Sequence, residues 1–180
     1  MYRATVIAII SLGLTACTAQ SIKSNQSLAA DEGILVTTVE CSIFDGPFKV
    51  EFYRTGLSSK GYFAGFKAAG SSACDRQKRI LRTISLPQGS YFIGKIGRET
   101  FADIPESDAV AFQIKAGKLN YIGDLMIVSA PGSSSQTTLV DVRIVDNEKL
   151  AMQQIASEYP WLRDKHEWIK SLATDPRKPR

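Results

Sequence analysis

The chain has 180 residues, 44% of them hydrophobic and 22% charged, so it can bury the core of one ordinary domain. Its formal charge is +4, with 22 basic against 18 acidic residues, which is too even a mixture for a dedicated nucleic-acid-binding protein. A single histidine, His166, and three cysteines exclude metal sites built from several histidines and disfavour most acid–base catalysis.

The first sixteen residues have the pattern of an export signal. Arg3 supplies a positive charge, residues 4–12 form a short apolar run, and small residues precede Cys17. The alternative of a membrane-spanning helix is disfavoured because the apolar run is too short. We therefore predict a signal peptide over residues 1–16.

The stretch Leu14-Thr15-Ala16-Cys17 resembles the lipobox of bacterial lipoproteins. The resemblance implies diacylglycerol on the Cys17 sulfur, cleavage before Cys17 and acylation of the new amino terminus, which together make a stable anchor. Thr18 stands where an Asp would resemble an inner-membrane retention signal, so the outer membrane is the expected destination. The alternative is a secreted protein in which Cys17 is coincidental.

Residues 17–32 are expected to form the lipidated cysteine and a flexible tether, because they are rich in Ser, Gln, Ala and Asn and lack periodicity. A domain over residues 33–172 follows, in which short alternating runs are separated by turn residues. The clearest strands lie around Val50 and Val142, and further candidates are 33–40, 61–66, 79–86, 90–96, 109–115 and 119–129. Seven or eight short strands predict a mainly β fold, a single antiparallel β-sandwich.

Two cysteines remain once Cys17 is lipidated. In an oxidising compartment Cys41 and Cys74 are expected to form a disulfide, whereas a redox-active pair would need a C-x-x-C spacing that the chain lacks. The disulfide would enclose residues 56–73, a Gly- and Ser-rich stretch with three aromatic side chains, Tyr62, Phe63 and Phe66. We interpret these aromatics as a candidate binding loop, with a short core strand as the alternative.

A basic cluster follows Cys74. Arg76, Lys78, Arg79 and Arg82 are candidates for contact with phosphates or with an acidic partner protein, Arg76 and Arg79 foremost. The alternative is a set of solvated charges at the start of a strand.

Asp124 lies in a run whose two faces are both apolar, so its carboxylate is expected to need a partner. One hypothesis makes Asp124 a partly buried structural acceptor paired with an arginine, such as Arg82 or Arg143, or with a backbone amide. The other hypothesis places a bulge at Gly123 that turns Asp124 into solvent.

Residues 112–125, FQIKAGKLNYIGDL, and the preceding LPQGSY at 86–91 resemble a pattern of bacterial lipoproteins of unknown function. Those proteins have a transthyretin-like or carboxypeptidase-regulatory-like β-sandwich. The resemblance therefore implies a fold and no activity.

The last quarter changes to helical periodicity. Asp146 or Asn147 can cap one amphipathic helix of about twelve residues that ends before Pro160. Residues 173–180, with two prolines and three basic groups, are expected to be a disordered tail.

Together these patterns predict a non-enzymatic envelope lipoprotein, held to the membrane at Cys17, that is a binding or structural module with an envelope protein as its possible partner. No cofactor, metal ion or nucleic acid is expected, and no catalytic residue is assigned. The alternative is a periplasmic inhibitor or immunity protein that blocks an enzyme through the 56–73 loop. A hydrolase is the least favoured reading.

Overall fold

The computed structural model describes residues 22, 27–42, 48–56, 68–76, 79–97, 101–129 and 140–178. It confirms a mainly β fold with two sheets. The elements in chain order are β1 (Glu32–Cys41), β2 (Phe48–Arg54), β3 (Gly70–Arg76), β4 (Ile80–Pro87), β5 (Gly89–Gly97), β6 (Phe101–Asp103), β7 (Ala111–Ile114), β8 (Lys118–Tyr121), β9 (Asp124–Ser129), β10 (Val140–Val145), α1 (Glu148–Glu158), α2 (Pro160–Lys165) and β11 (Glu167–Lys170).

The first sheet is built around β1. This strand pairs with β4 in antiparallel register along one edge, from Glu32 opposite Pro87 to Val39 opposite Ile80. Along its other edge it pairs in parallel with β8 and then with β9, and β10 and β11 extend the sheet beyond those strands. The predicted β-sandwich was expected to have seven or eight strands, all antiparallel. The strand number and the pairing are wrong, because the described residues alone form eleven strands and the first sheet is mixed.

The second sheet contains β2, β3, β5, β6 and β7, all paired antiparallel. β3 links the two sheets, because its last residues also pair in parallel with the end of β1. Lys115–Lys118 make a tight turn in which Gly117 has a φ of +68°. It passes the chain from β7 in the second sheet to β8 in the first.

β1 is buried on both faces, as expected of a central strand. Its side chains alternate between two apolar clusters. Leu35 and Val39 pack with residues of both sheets in the larger cluster. Ile34 and Val36 point the other way, into a second cluster that α1 and α2 cover. The helices therefore form an outer layer on the first sheet.

The helix layer agrees closely with the sequence pattern. α1 buries Ala151 and Ile155 at helical spacing, and Pro160 begins α2 directly after it. The residues between Lys165 and Ser171 were not predicted to be a strand. They form β11, which pairs in parallel with β8 and brings Trp168 over Tyr121, with ring centroids 5.5 Å apart.

Candidate functional site

The segment between the expected anchor and the domain is shorter than the sequence indicates. Cys17 lies outside the described residues, but Ile22 is 4% exposed and packs in the cluster beneath α1 and α2. Its backbone N–H donates to the carbonyl oxygen of Thr83 at 3.1 Å, on β4. The tether predicted over 17–32 is thus wrong at Ile22, because burial of an isolated apolar side chain fixes the chain there.

Asp124, the first residue of β9, points inward and is 3% exposed. The preceding Gly123 has a φ of +95° and breaks the predicted strand over 119–129 into β8 and β9. A Cβ at Gly123 would lie 2.7 Å from the side chain of Ile144, so only glycine fits this reversal. The irregular backbone at Gly123, which one of the two hypotheses had turning Asp124 into solvent, directs it into the protein instead, in agreement with the other hypothesis.

Arg79 is the cation that Asp124 meets. The Arg79 Nε and Nη2 atoms both lie 2.9 Å from Asp124 Oδ2, with the arginine side chain 21% exposed and the aspartate side chain 5% exposed. Arg79 Nη1 also donates to Gln154 Oε1 on α1. Arg82, the partner suggested by strand alternation, donates instead to the carbonyl oxygen of Ala73 at 2.9 Å.

Two more side chains complete this cluster. Asn147 Nδ2 donates to Asp124 Oδ2 at 2.9 Å, and the Tyr121 hydroxyl lies 3.4 Å from Asp124 Oδ1. The backbone N–H of Asn147 in turn donates to the Tyr121 hydroxyl at 2.8 Å. Burial, with a smaller contribution from the nearby charge of Asp124, raises the pKa of Tyr121 to about 12, so the phenol stays protonated at neutral pH.

We call Arg79, Tyr121, Asp124, Asn147 and Gln154 the Asp124 cluster. It joins the residue before β4, the end of β8, the start of β9, and the start and middle of α1. The carboxylate charge is neutralised and both oxygens have partners, which is the condition under which a buried charge can persist. The arrangement therefore fastens the helix layer to the first sheet. The sequence pattern gave no sign of Gln154, and it predicted Asp146 or Asn147 as the cap of α1. Asn147 occupies the cap position but its side chain makes no capping hydrogen bond, whereas Asp146 Oδ1 accepts from the backbone N–H of Glu148 at 3.3 Å.

A second buried carboxylate lies in the segment that was expected to be a disordered tail. The Asp175 side chain is 3% exposed and Arg177 donates to both of its oxygens at 2.9 Å. Hydrogen bonds from Arg177 lower the pKa of Asp175 to about 2. Lys178 lies 2.9 Å from Asp141 on β10, and Thr174 exchanges two backbone hydrogen bonds with Ala111 on β7.

The expected disorder is therefore wrong for residues 173–178, because ion pairs and backbone pairing hold them across both sheets. Residues 179–180 lie outside the described part of the chain.

The predicted disulfide falls on neighbouring strands. Cys41, at the end of β1, is fully buried. The parallel pairing of β1 and β3 sets Cys41 opposite Arg76, two residues beyond Cys74 in the adjacent strand. The side chains of Cys74 and Arg76 lie outside the described residues, so the pairing and the binding role of Arg76 stay predictions.

The aromatic loop is also untested. Tyr62, Phe63 and Phe66 all lie outside the described residues. Within the described ranges, no group of three or more His, Cys, Asp or Glu side chains could hold a metal ion, and no helix is long and apolar enough to cross a membrane.

Models of known protein families, curated protein sequences and solved structures were compared with this chain. None of them matches it. The site must therefore be interpreted from its own geometry.

Proposed function

We propose that this protein is a lipid-anchored envelope lipoprotein, held to the outer membrane through Cys17, whose domain is a non-enzymatic binding or structural module. The observation that carries the proposal is the export signal followed directly by Leu14-Thr15-Ala16-Cys17. The position of Ile22, five residues after Cys17, supports the proposal. Ile22 is already packed into the domain, so the folded part of the chain begins close to the proposed lipid anchor.

The packing supports a structural or binding role for the domain. The larger apolar cluster draws on residues of both sheets, and we propose that the two sheets pack face to face as a β-sandwich. Both buried carboxylates of the described residues, Asp124 and Asp175, are held by cations in contacts that join separate elements. Such fully satisfied carboxylates favour rigidity over proton transfer.

The mass of the protein extracted from membranes with detergent tests the proposal. We expect an amino terminus at Cys17 and an added mass of diacylglycerol plus one acyl chain. The variant Cys17→Ser should lack both the cleavage and the added mass, whereas the control Thr18→Ser, which keeps the acceptor thiol, should be processed like the natural chain. An unmodified Cys17 in the natural chain would overturn the proposal.

A further inference from the structure

The position of Ile22 limits how far a lipid on Cys17 can lie from the domain. Five residue steps separate Cys17 from Ile22, and an extended chain spans at most about 3.6 Å per residue, or about 18 Å in all. A domain of about 150 residues has a radius of gyration of about 15 Å and is roughly 38 Å across. An anchor this short cannot reach from Ile22 to the opposite side of the domain.

Ile22 belongs to the helix-covered side of the molecule. Its side chain packs in the same cluster as Ala151 and Ile155 of α1 and Leu162 of α2. In the proposed face-to-face packing, the second sheet lies across the larger cluster, on the face of the first sheet opposite the helices. The bilayer surface that receives the lipid must therefore lie nearer to the helix layer than to the second sheet.

The outer face of α1 has the composition that an interfacial contact needs. Leu150 and Met152 are 44% and 47% exposed, two of the three large exposed hydrophobic side chains in the described ranges. Because they are two residues apart, they lie on the two opposite flanks of the outer side of α1. Lys149 and Gln153 are exposed between these flanks, and the neighbouring Glu148 is engaged by Lys170 and by Trp168. Exposed apolar side chains near a lysine are suited to contact with the headgroup layer of a bilayer.

We propose that the domain lies on its own membrane through the helix layer, with the outer face of α1 in contact with the lipid headgroups and the second sheet directed away from the bilayer. This inference rests on the proposed lipidation of Cys17, which fixes the length of the link. It leaves the second sheet as the surface open to other envelope components.

Site-specific quenching tests this orientation. The full lipidated chain, carrying bimane at Met152→Cys, is reconstituted in vesicles of phosphatidylethanolamine and phosphatidylglycerol that contain a headgroup nitroxide. Gln113→Cys is the matched control, because Gln113 is exposed on β7 of the second sheet while its neighbours Phe112 and Ile114 point into the core. We expect at least twofold stronger quenching at position 152 than at position 113.

Equal quenching at both positions, or stronger quenching at position 113, would overturn the orientation. Gln153→Cys, on the same exposed face of α1, is a second reporter if the label at position 152 disturbs folding. Flotation of the natural chain with the same vesicles separates the two proposals. If the chain does not float, the anchor itself is wrong, whereas a floating chain without the quenching difference contradicts the orientation alone.

Discussion

At the scale of single residues, Asp124 carries the most consequential contact. Its removal in Asp124→Ala would leave the guanidinium of Arg79 largely buried without a counter-charge. We expect a loss of about 3 kcal/mol in the free energy of unfolding, measured by denaturant melts. Asp164→Ala is the control, because the Asp164 pair with Arg163 is more than half exposed on both sides and should cost under about 0.5 kcal/mol. A loss below about 1 kcal/mol for Asp124→Ala would contradict the account.

Asp175 makes a pH-dependent contribution. Its pKa is lowered from 3.8 to about 2 in the folded chain, so the carboxylate stabilises the fold above pH 4 and loses that effect as the pH falls toward 2. We expect Asp175→Asn to lose about 1–2 kcal/mol at pH 7, less than the full shift implies because Arg177 and Lys178 are partly solvated.

The difference between Asp175→Asn and the natural chain should shrink on acidification and vanish near pH 2. Urea melts across this range measure it, with the exposed Glu158→Gln as control. A difference that stays constant with pH would show that the ion pair contributes nothing.

The need for a partner at Asp124 could be predicted from the sequence, but the identity of that partner could not. Arg82 was the natural candidate, because strand alternation shows which side chains of a strand share a face. Arg79 reaches Asp124 from just before β4, in a stretch where alternation does not apply. Local sequence predicted Asp146 or Asn147 as the cap of α1. Asn147 occupies that position, but its side chain donates to Asp124, an acceptor distant in sequence.

At the scale of elements, local pattern predicted strands and helices well where the pattern was regular. β1 and β10 match their predicted positions to within a residue or two, and α1 occupies the expected helix. β11 was missed because its four residues, rich in charge and tryptophan, gain their strand conformation only by pairing with β8. The parallel pairings of β1 were missed for a similar reason. They join strands that are separated by long connections, and hydrophobic periodicity does not show which strands pair.

The link between β1 and β3 gives a prediction for the cysteines. If Cys41 and Cys74 are joined, the oxidised domain has no free thiol, and Cys74→Ser should lower the free energy of unfolding by about 2–4 kcal/mol. Intact mass after alkylation without reductant measures the first effect, and denaturant melts measure the second. Labelling of both cysteines in the unreduced natural chain would contradict the disulfide.

At the scale of the whole molecule, the length of chain between Cys17 and Ile22 limits how far a lipid on Cys17 can lie from the domain. The sequence indicated a long flexible tether because residues 18–32 lack a repeating pattern, and a single buried side chain such as Ile22 leaves no periodic signal. If Cys17 carries the proposed lipid, the docking of Ile22 leaves only a short link between lipid and domain, and the domain then has a membrane-facing side.

The anchor at Cys17 is the central claim, and fractionation of cells tests it most directly. The natural chain and Thr18→Ser should remain in the membrane fraction after a high-salt wash, because acyl chains and not surface charges hold them. Cys17→Ser, which keeps its uncleaved apolar segment, should be absent from the outer-membrane part of that fraction. Retention of Cys17→Ser in washed outer membranes would contradict the account, since something other than the lipid on Cys17 would then hold the domain there.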